Sequence, residues 1–523
     1  MKKSYLKCSY YRENNSSDTF HRIIRFTVVF LWIFLYNKAS LSDNESEGIQ
    51  AFPVSHAKKS NFQEVFIENR EKFSSRLGFL LISAGCAIGL GNVWKFPYIT
   101  GKYGGAAFVL IYFVFLLILG IPILTLELAV GRASQRSVAL SMDVLEPKGT
   151  KWHWFKFPAM AGNYILMMFY TTVAGWMVYY FFKMAAGGFV GMNADEIGAT
   201  FNSTLANPTL NVAFMIAVVI SCMLIVGKGL QNGVEKITKV MMIALLVLMI
   251  VLAVRSFFLA GGEEGLRFYL YPDFSKLMEY GITEVLFAAM SQAFFTLSIG
   301  MGAIAIFGSF IDRSRSLMGE AICITILDTA VALMAGLIIF PACFAYGVDP
   351  GQGPGLIFVT LPNVFNAMPG GRLWGTLFFL FMCFAAFSTV IGVFQNLITF
   401  WTDMTDAPRK KIVAYHIVAL IVLCLPCALG YNVLSGLQPL GEGTAILDLE
   451  DFLVSNNILP LGSIVYVLFC ACKNGWGWEN FMDEANAGEG LKFPNGIRLY
   501  VKYILPLIIL FVFVMGYLSM FSK

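Results

Sequence analysis

Two glycine clusters interrupt otherwise apolar stretches of this chain: Gly85-Cys86-Ala87-Ile88-Gly89-Leu90-Gly91-Asn92 and Thr296-Leu297-Ser298-Ile299-Gly300-Met301-Gly302. Glycine tolerates non-helical backbone. An unwound stretch frees carbonyl oxygens, which suit a small hard cation, while the half-helix that follows presents N–H groups that favour an anion. One such construction can hold a cation and a carboxylate side by side. A third feature is equally out of place: Asp328 lies inside the apolar run Ile322-Cys-Ile-Thr-Ile-Leu-Asp328-Thr-Ala-Val-Ala-Leu. An aspartate at the centre of a membrane helix costs about 2.5–3.5 kcal/mol unless something offsets it. A bound cation, a polar neighbour or protonation would do so.

The elements that carry these residues belong in a bilayer. The chain has 523 residues, of which 57% are hydrophobic and 13% charged, against about 25% charged in a soluble domain. Apolar runs near the ~20 residues that a spanning helix needs recur along most of it. Eleven hydrophobic segments are expected, at about 77–99, 105–130, 158–187, 211–226, 233–258, 283–311, 317–346, 373–402, 412–430, 451–472 and 497–521. Lys and Arg concentrate in alternate connections, 131–156, 227–239, 312–316 and 403–411, whereas 188–210 and 431–450 have neither. By the positive-inside bias the start of the first segment is cytoplasmic and the end of the chain lies outside.

Several function classes recede. A net charge of +4 spread over many loops offers no patch for nucleic acid. The four histidines show no metal-site spacing, and no Ser/His/Asp constellation suggests an enzyme. Cys424-Leu-Pro-Cys427 has C-x-x-C spacing but sits in a hydrophobic run without a redox-fold context, so it reads as membrane packing. Residues 1–60 stand apart. The run Ile23 to Tyr36 is short for a span, contains Arg25 and follows Lys2, Lys3, Lys7, Arg12 and Arg22. It reads as a non-native upstream extension or a disordered or interfacial tail rather than a signal segment, with 40–60 as linker.

Alone, Gly85-x-x-x-Gly89 would pass for a helix-packing motif. The matching break five segments later points instead to an inverted-repeat transporter with its site at midplane, because non-helical backbone at that depth is tolerated only around a cavity.

The residues around both breaks resemble the neurotransmitter:sodium symporter family. The resemblance rests on Arg76-Leu77-Gly78-Phe79, the run Gly85 to Tyr98, Gly104-Gly105-Ala-Ala-Phe108, Glu127 with Gly131-Arg132, and Gln292 to Gly302, and it extends in collinear order over about 70–521. It implies an all-α fold of eleven transmembrane helices with a 5+5 inverted repeat, helices 1 and 6 unwound. The transporter domain would cover 61–521, with repeats at about 77–258 and 283–472 and an extra helix at 497–521. It further implies a multi-pass protein of the cell inner membrane that imports an amino acid with sodium by alternating access.

The resemblance also implies roles. One sodium would be held by the Ala87 carbonyl, Asn92, Thr296, Asp328 and the substrate carboxylate. A second would use carbonyls of Gly85, Ile88 and Ala385 with hydroxyls of Ser388 and Thr389, a pair reversed from the usual Thr-Ser. Members that bind chloride have Asn where Asp328 stands and Ser four residues later; here that position is Ala332, so chloride independence is implied. Gly89, where monoamine transporters carry Asp, leaves room for a substrate carboxylate near Leu90, Gly91 and Tyr170. The substrate pocket would comprise Cys86, Ala87, Leu90, Gly91, Leu166, Tyr170, Phe295, Thr296, Ser298, Met301, Thr389 and Val393, mostly apolar, which favours a hydrophobic or aromatic amino acid. Gates would be Lys95 with Asp451 and Arg70 with Asp403. Lys95 replaces the family's usual Arg and Phe310 a common Tyr. A non-transporting sensor and a proton-coupled transporter remain alternatives, separable by sodium-driven flux and by uptake on a pH gradient.

Overall fold

A computed structural model describes residues 71–347, 355–405 and 407–521; residues 1–60 and Arg70 lie outside them. An apolar chain in lipid must satisfy its backbone internally, and the described residues are accordingly helical. Twelve helices matter for the site: α1 (Arg76–Ala87), α2 (Gly91–Lys102), α3 (Ala106–Ser134), α4 (Trp152–Ala185), α5 (Pro208–Gly227), α6 (Leu230–Phe257), α7 (Ile282–Thr296), α8 (Leu317–Ala345), α9 (Gly371–Thr405), α10 (Arg409–Leu429), α11 (Ile446–Ala471) and α12 (Asn495–Leu518). Among the described residues, nine are long and apolar enough to cross a bilayer, or ten when α1 and α2, bent by 53° at their junction, count as one. The segment expected at 283–311 supplies a shorter helix because its backbone leaves the helix after Thr296.

Proline shapes these helices in a recurrent way. In five places the residue before a proline donates to the carbonyl five residues back, forming a π-turn: Phe96 to Gly91, Ile121 to Leu116, Leu361 to Leu356, Leu459 to Val454 and Leu505 to Tyr500. Proline has no N–H and its ring crowds the carbonyl four residues earlier. The wider turn keeps the helix continuous past that defect. Two of these turns, at Gly91–Lys95 and Val454–Ile458, flank the site.

Packing sorts the helices into centre and periphery. The interface between α4 and α9 is the most extensive, and α1 packs on α6, α8 and α9. Within their apolar windows, 78% of α9 and 67% of α4 is buried, against 28% of α12 and 33% of α6. The exposed Val240, Ile243, Val247, Val251 and Val254 of α6, and Leu507, Leu510 and Phe511 of α12, form apolar outer faces suited to lipid.

Candidate substrate and ion site

The two breaks meet at the centre. In the first, α1 ends at Ala87, Ile88 takes an extended conformation (φ −67°, ψ 101°), and α2 begins at Gly91. In the second, α7 ends at Thr296 and the chain passes through Ser298 (φ 52°), Gly300 (φ 99°) and Gly302 (φ 76°) before a short turn at Ala305–Gly308. Gln292 ties the breaks together, its Nε2 donating to the Gly91 carbonyl at 2.9 Å.

Asp328 of α8 is fully buried and faces the first break. Its Oδ1 accepts from Asn92 Nδ2 at 2.8 Å and its Oδ2 from Thr296 Oγ1 at 2.9 Å. Asn92 Oδ1 in turn accepts from the Gly89 N–H at 3.1 Å. Three of the residues expected around one cation, Asn92, Thr296 and Asp328, therefore form one connected group. Ala332, one turn on, is buried and apolar.

A second oxygen cluster lies between α1 and α9. Ser388 Oγ is 2.9 Å from the Ala385 carbonyl and 3.3 Å from that of Ile88. Thr389 Oγ1 is 3.3 Å from the Ile88 carbonyl and 3.5 Å from that of Gly85. All five oxygens named from the resemblance thus converge. Hydroxyl contacts of 3.3–3.5 Å are long for O–H···O bonds, so these carbonyls retain unused acceptor capacity for a hard cation.

Beside both clusters, Ala87, Gly91, Leu166, Tyr170, Phe295, Ser298, Met301 and Thr389 line a cavity together with Val454 and Leu459. Its volume is about 10 Å³, the space of roughly one water, so any larger molecule enters only if the walls move apart. Tyr170 Oη accepts from the Leu90 N–H at 2.7 Å. A Cβ on Gly89 would stand 2.1 Å from Tyr170 Oη and 2.3 Å from Thr389 Oγ1; no side chain fits there without displacing both.

Four pocket residues expected from the resemblance do not line this small cavity. Leu90, Thr296 and Val393 are buried but off the cavity wall. Cys86 packs against α9, its Sγ 2.8 Å from where a Cβ on Gly392 would be; the missing side chain of Gly392 makes room for the thiol. Conversely, Val454 and Leu459 were not expected. The π-turn at 454–458 carries them to the wall, and only the x-Pro step at Leu459-Pro460 hints at it in the sequence.

Glu127 contributes structurally. From α3, fully buried, it accepts from the N–H groups of Gly300 (2.9 Å), Ile304 (3.1 Å) and Ala305 (3.3 Å). Asn163 of α4 donates to the Met301 carbonyl at 2.9 Å. The second break is thereby held by the protein's own polar groups.

Each end of the site carries charge. At one end Lys95 Nζ lies 2.9 Å from both Asp451 oxygens and from Ser455 Oγ, and 4.3 Å from the Phe295 ring centroid. At the other, Arg76 pairs with Glu320 at 2.9 Å, and Phe73 meets Phe310 edge-on with centroids 5.8 Å apart. Asp403 accepts from the Ser137 N–H at 2.7 Å and lies 4.0 Å from Arg136. Its expected partner Arg70 is outside the described residues.

The model of the sodium:neurotransmitter symporter family matches residues 70–190 and 193–523. The chain is 33% identical over 446 residues to the uncharacterized sodium-dependent transporter YhdH of Bacillus subtilis, covering 84% of this chain and 96% of that one. It is 31% identical to the sodium-dependent transporter MJ1319 of Methanocaldococcus jannaschii, over 84% of this chain and 89% of that one. A crystal structure of MhsT in complex with L-phenylalanine superposes with a TM-score of 0.78 at 37% identity, covering 86% of this chain and all of that one.

Proposed function

The chain belongs to the sodium:neurotransmitter symporter family, and from that premise we propose that it is a sodium-coupled importer of a hydrophobic or aromatic amino acid. Its relatives are sodium-dependent membrane transporters, not enzymes. The observation that carries the finer reading is the meeting of two backbone breaks over the buried Asp328 carboxylate. One sodium would bind at Ala87, Asn92, Thr296 and Asp328 and share the substrate carboxylate. The other would bind the carbonyls of Gly85, Ile88 and Ala385 with the hydroxyls of Ser388 and Thr389. A shared carboxylate makes coupling direct, since neither partner binds well alone.

Substrate class follows from Gly89, which leaves the Leu90 and Gly91 N–H groups and Tyr170 to a carboxylate, and from the apolar wall of Leu166, Phe295, Met301, Val454 and Leu459. MhsT, of like fold, binds L-phenylalanine. Asp328 supplies the fixed negative charge and Ala332 offers no ligand to an anion, so transport is chloride-independent. Eleven crossings in a 5+5 inverted repeat, with the start of α1 inside the cell, would place Lys95–Asp451 as the outer gate. Sodium and substrate then act by shifting populations toward closed conformations.

Uptake by the full chain in proteoliposomes, with a panel of amino acids and sodium and chloride varied independently, tests the reading. Sodium-driven uptake of an apolar amino acid, unchanged without chloride, is the expected result; equal loss in chloride-free and sodium-free media would sink it. The burial of Asp328 favours one alternative, a proton in place of the first sodium. Uptake on a pH gradient without sodium would select it.

A further inference from the structure

One residue before the gate carboxylate, α11 carries a second acid with a very different environment. Asp451 keeps 30% of its side chain exposed and meets Lys95. Glu450 points about 100° away around the helix, into the contact of α11 with α4 and α10, and is only 4% exposed. Neither of its carboxyl oxygens has a hydrogen bond of good geometry, and the one side chain that bonds to it is the Cys427 thiol.

The groups around it cannot hold a charge. From α10 the titratable neighbours are the thiols of Cys427 and Cys424, both buried. The Cys424 thiol is engaged with Thr171 Oγ1 at 3.3 Å and the Met167 carbonyl at 3.5 Å. Thiols are weak donors. On α4 no charged residue occurs between Lys156 and Lys183. On α11 itself the ionisable neighbours are Asp448 and Asp451, both acids, and Lys95 is committed to Asp451. An unpaired carboxylate at such a place costs several kcal/mol, and a proton removes that cost. The C-x-x-C pair thus finds a use, as an uncharged polar lining for a neutral acid.

We propose that Glu450 is a proton-binding site linked to the outer gate: it binds a proton when the start of α11 closes against α4 and α10, and releases it to the outer water when that segment lifts. This rests on reading Lys95–Asp451 as the outer gate. The sign follows from linkage. The proton is bound by the closed form, so its stabilisation of that form is fully present at low pH and is lost as pH rises through the titration of the closed state. Sodium-coupled uptake would then acquire an external-pH dependence independent of Asp328.

Hydrogen–deuterium exchange of the full chain in lipid nanodiscs with sodium, read on peptides spanning 446–458 and corrected for intrinsic exchange, needs no knowledge of the substrate. In the unsubstituted protein, protection should fall between about pH 5 and pH 8, by at most about tenfold per pH unit for one proton. Glu450→Gln and Glu450→Met, which carry no titratable group, should show closed-like, pH-independent protection; the two chemistries guard against one failing to fold. Persistence of the pH dependence in either folded variant, or its absence in the unsubstituted protein, overturns the proposal. Lys95→Ala should lower protection at every pH. If it is silent, the gate reading fails, an outcome distinct from failure of the proton site.

Discussion

The two backbone breaks lie side by side and are held in opposite ways. The second, from Leu297 to Ile304, uses three residues at positive φ, and its exposed N–H groups are claimed by the Glu127 carboxylate while Asn163 takes the Met301 carbonyl. The first, from Ile88 to Leu90, needs no positive φ, and the side chains that reach its Gly85 and Ile88 carbonyls are hydroxyls at 3.3–3.5 Å. Buried polar groups without good partners are costly. The second break therefore reads as permanent scaffold, and the first as a site completed by what it binds. A transporter needs both: a fixed cradle and an exchangeable ligand set.

Experiments that disturb one break and spare the other would test this contrast. The largest effect is expected from Asp328→Asn, which removes the charge facing the first break. Apparent sodium affinity should fall about 100-fold or more, equivalent to about 3 kcal/mol, in a sodium titration of thermal stability or uptake. Next comes Glu127→Gln, which turns a donor toward the N–H groups of the second break and costs about 1–3 kcal/mol. Its thermal midpoint should drop equally with and without sodium; a drop confined to sodium-bound protein would erase the distinction. Ser388→Ala and Thr389→Ala should each weaken sodium by about tenfold, one ligand's worth of about 1.4 kcal/mol, while leaving the sodium-free midpoint unchanged. Smallest is Ser298→Gly, which relieves a positive φ worth about 1 kcal/mol and should raise the midpoint slightly in any salt.

Much of this arrangement was legible before any coordinates. Glycine clusters mark both breaks, through positive φ at the second and close approach of Tyr170 and Thr389 at the first, and Asp328 announces itself because charge in an apolar run demands a reason. Lys95 and Asp451, 356 residues apart, came within reach only through the resemblance. Val454 and Leu459 escaped, since they look like any apolar residues and reach the cavity through a π-turn. The packing of Cys86 is not readable from its own segment either: its thiol fills the space left by the missing side chain of Gly392, on another helix. Glu450 and Asp451 are adjacent acids in the sequence, and only burial separates their environments.

The sequence by itself determined the solvent, the helical class, the two places where helix must fail and the presence of a buried charge. These follow from hydropathy, glycine and the cost of an unsatisfied backbone in lipid, all local properties of the chain. The tertiary structure decided which oxygens share a point in space, which acid faces a lysine and which faces thiols, and which break is capped by its own protein. Such pairings depend on how helices far apart in sequence present their faces, and periodicity along one helix carries no record of its neighbours.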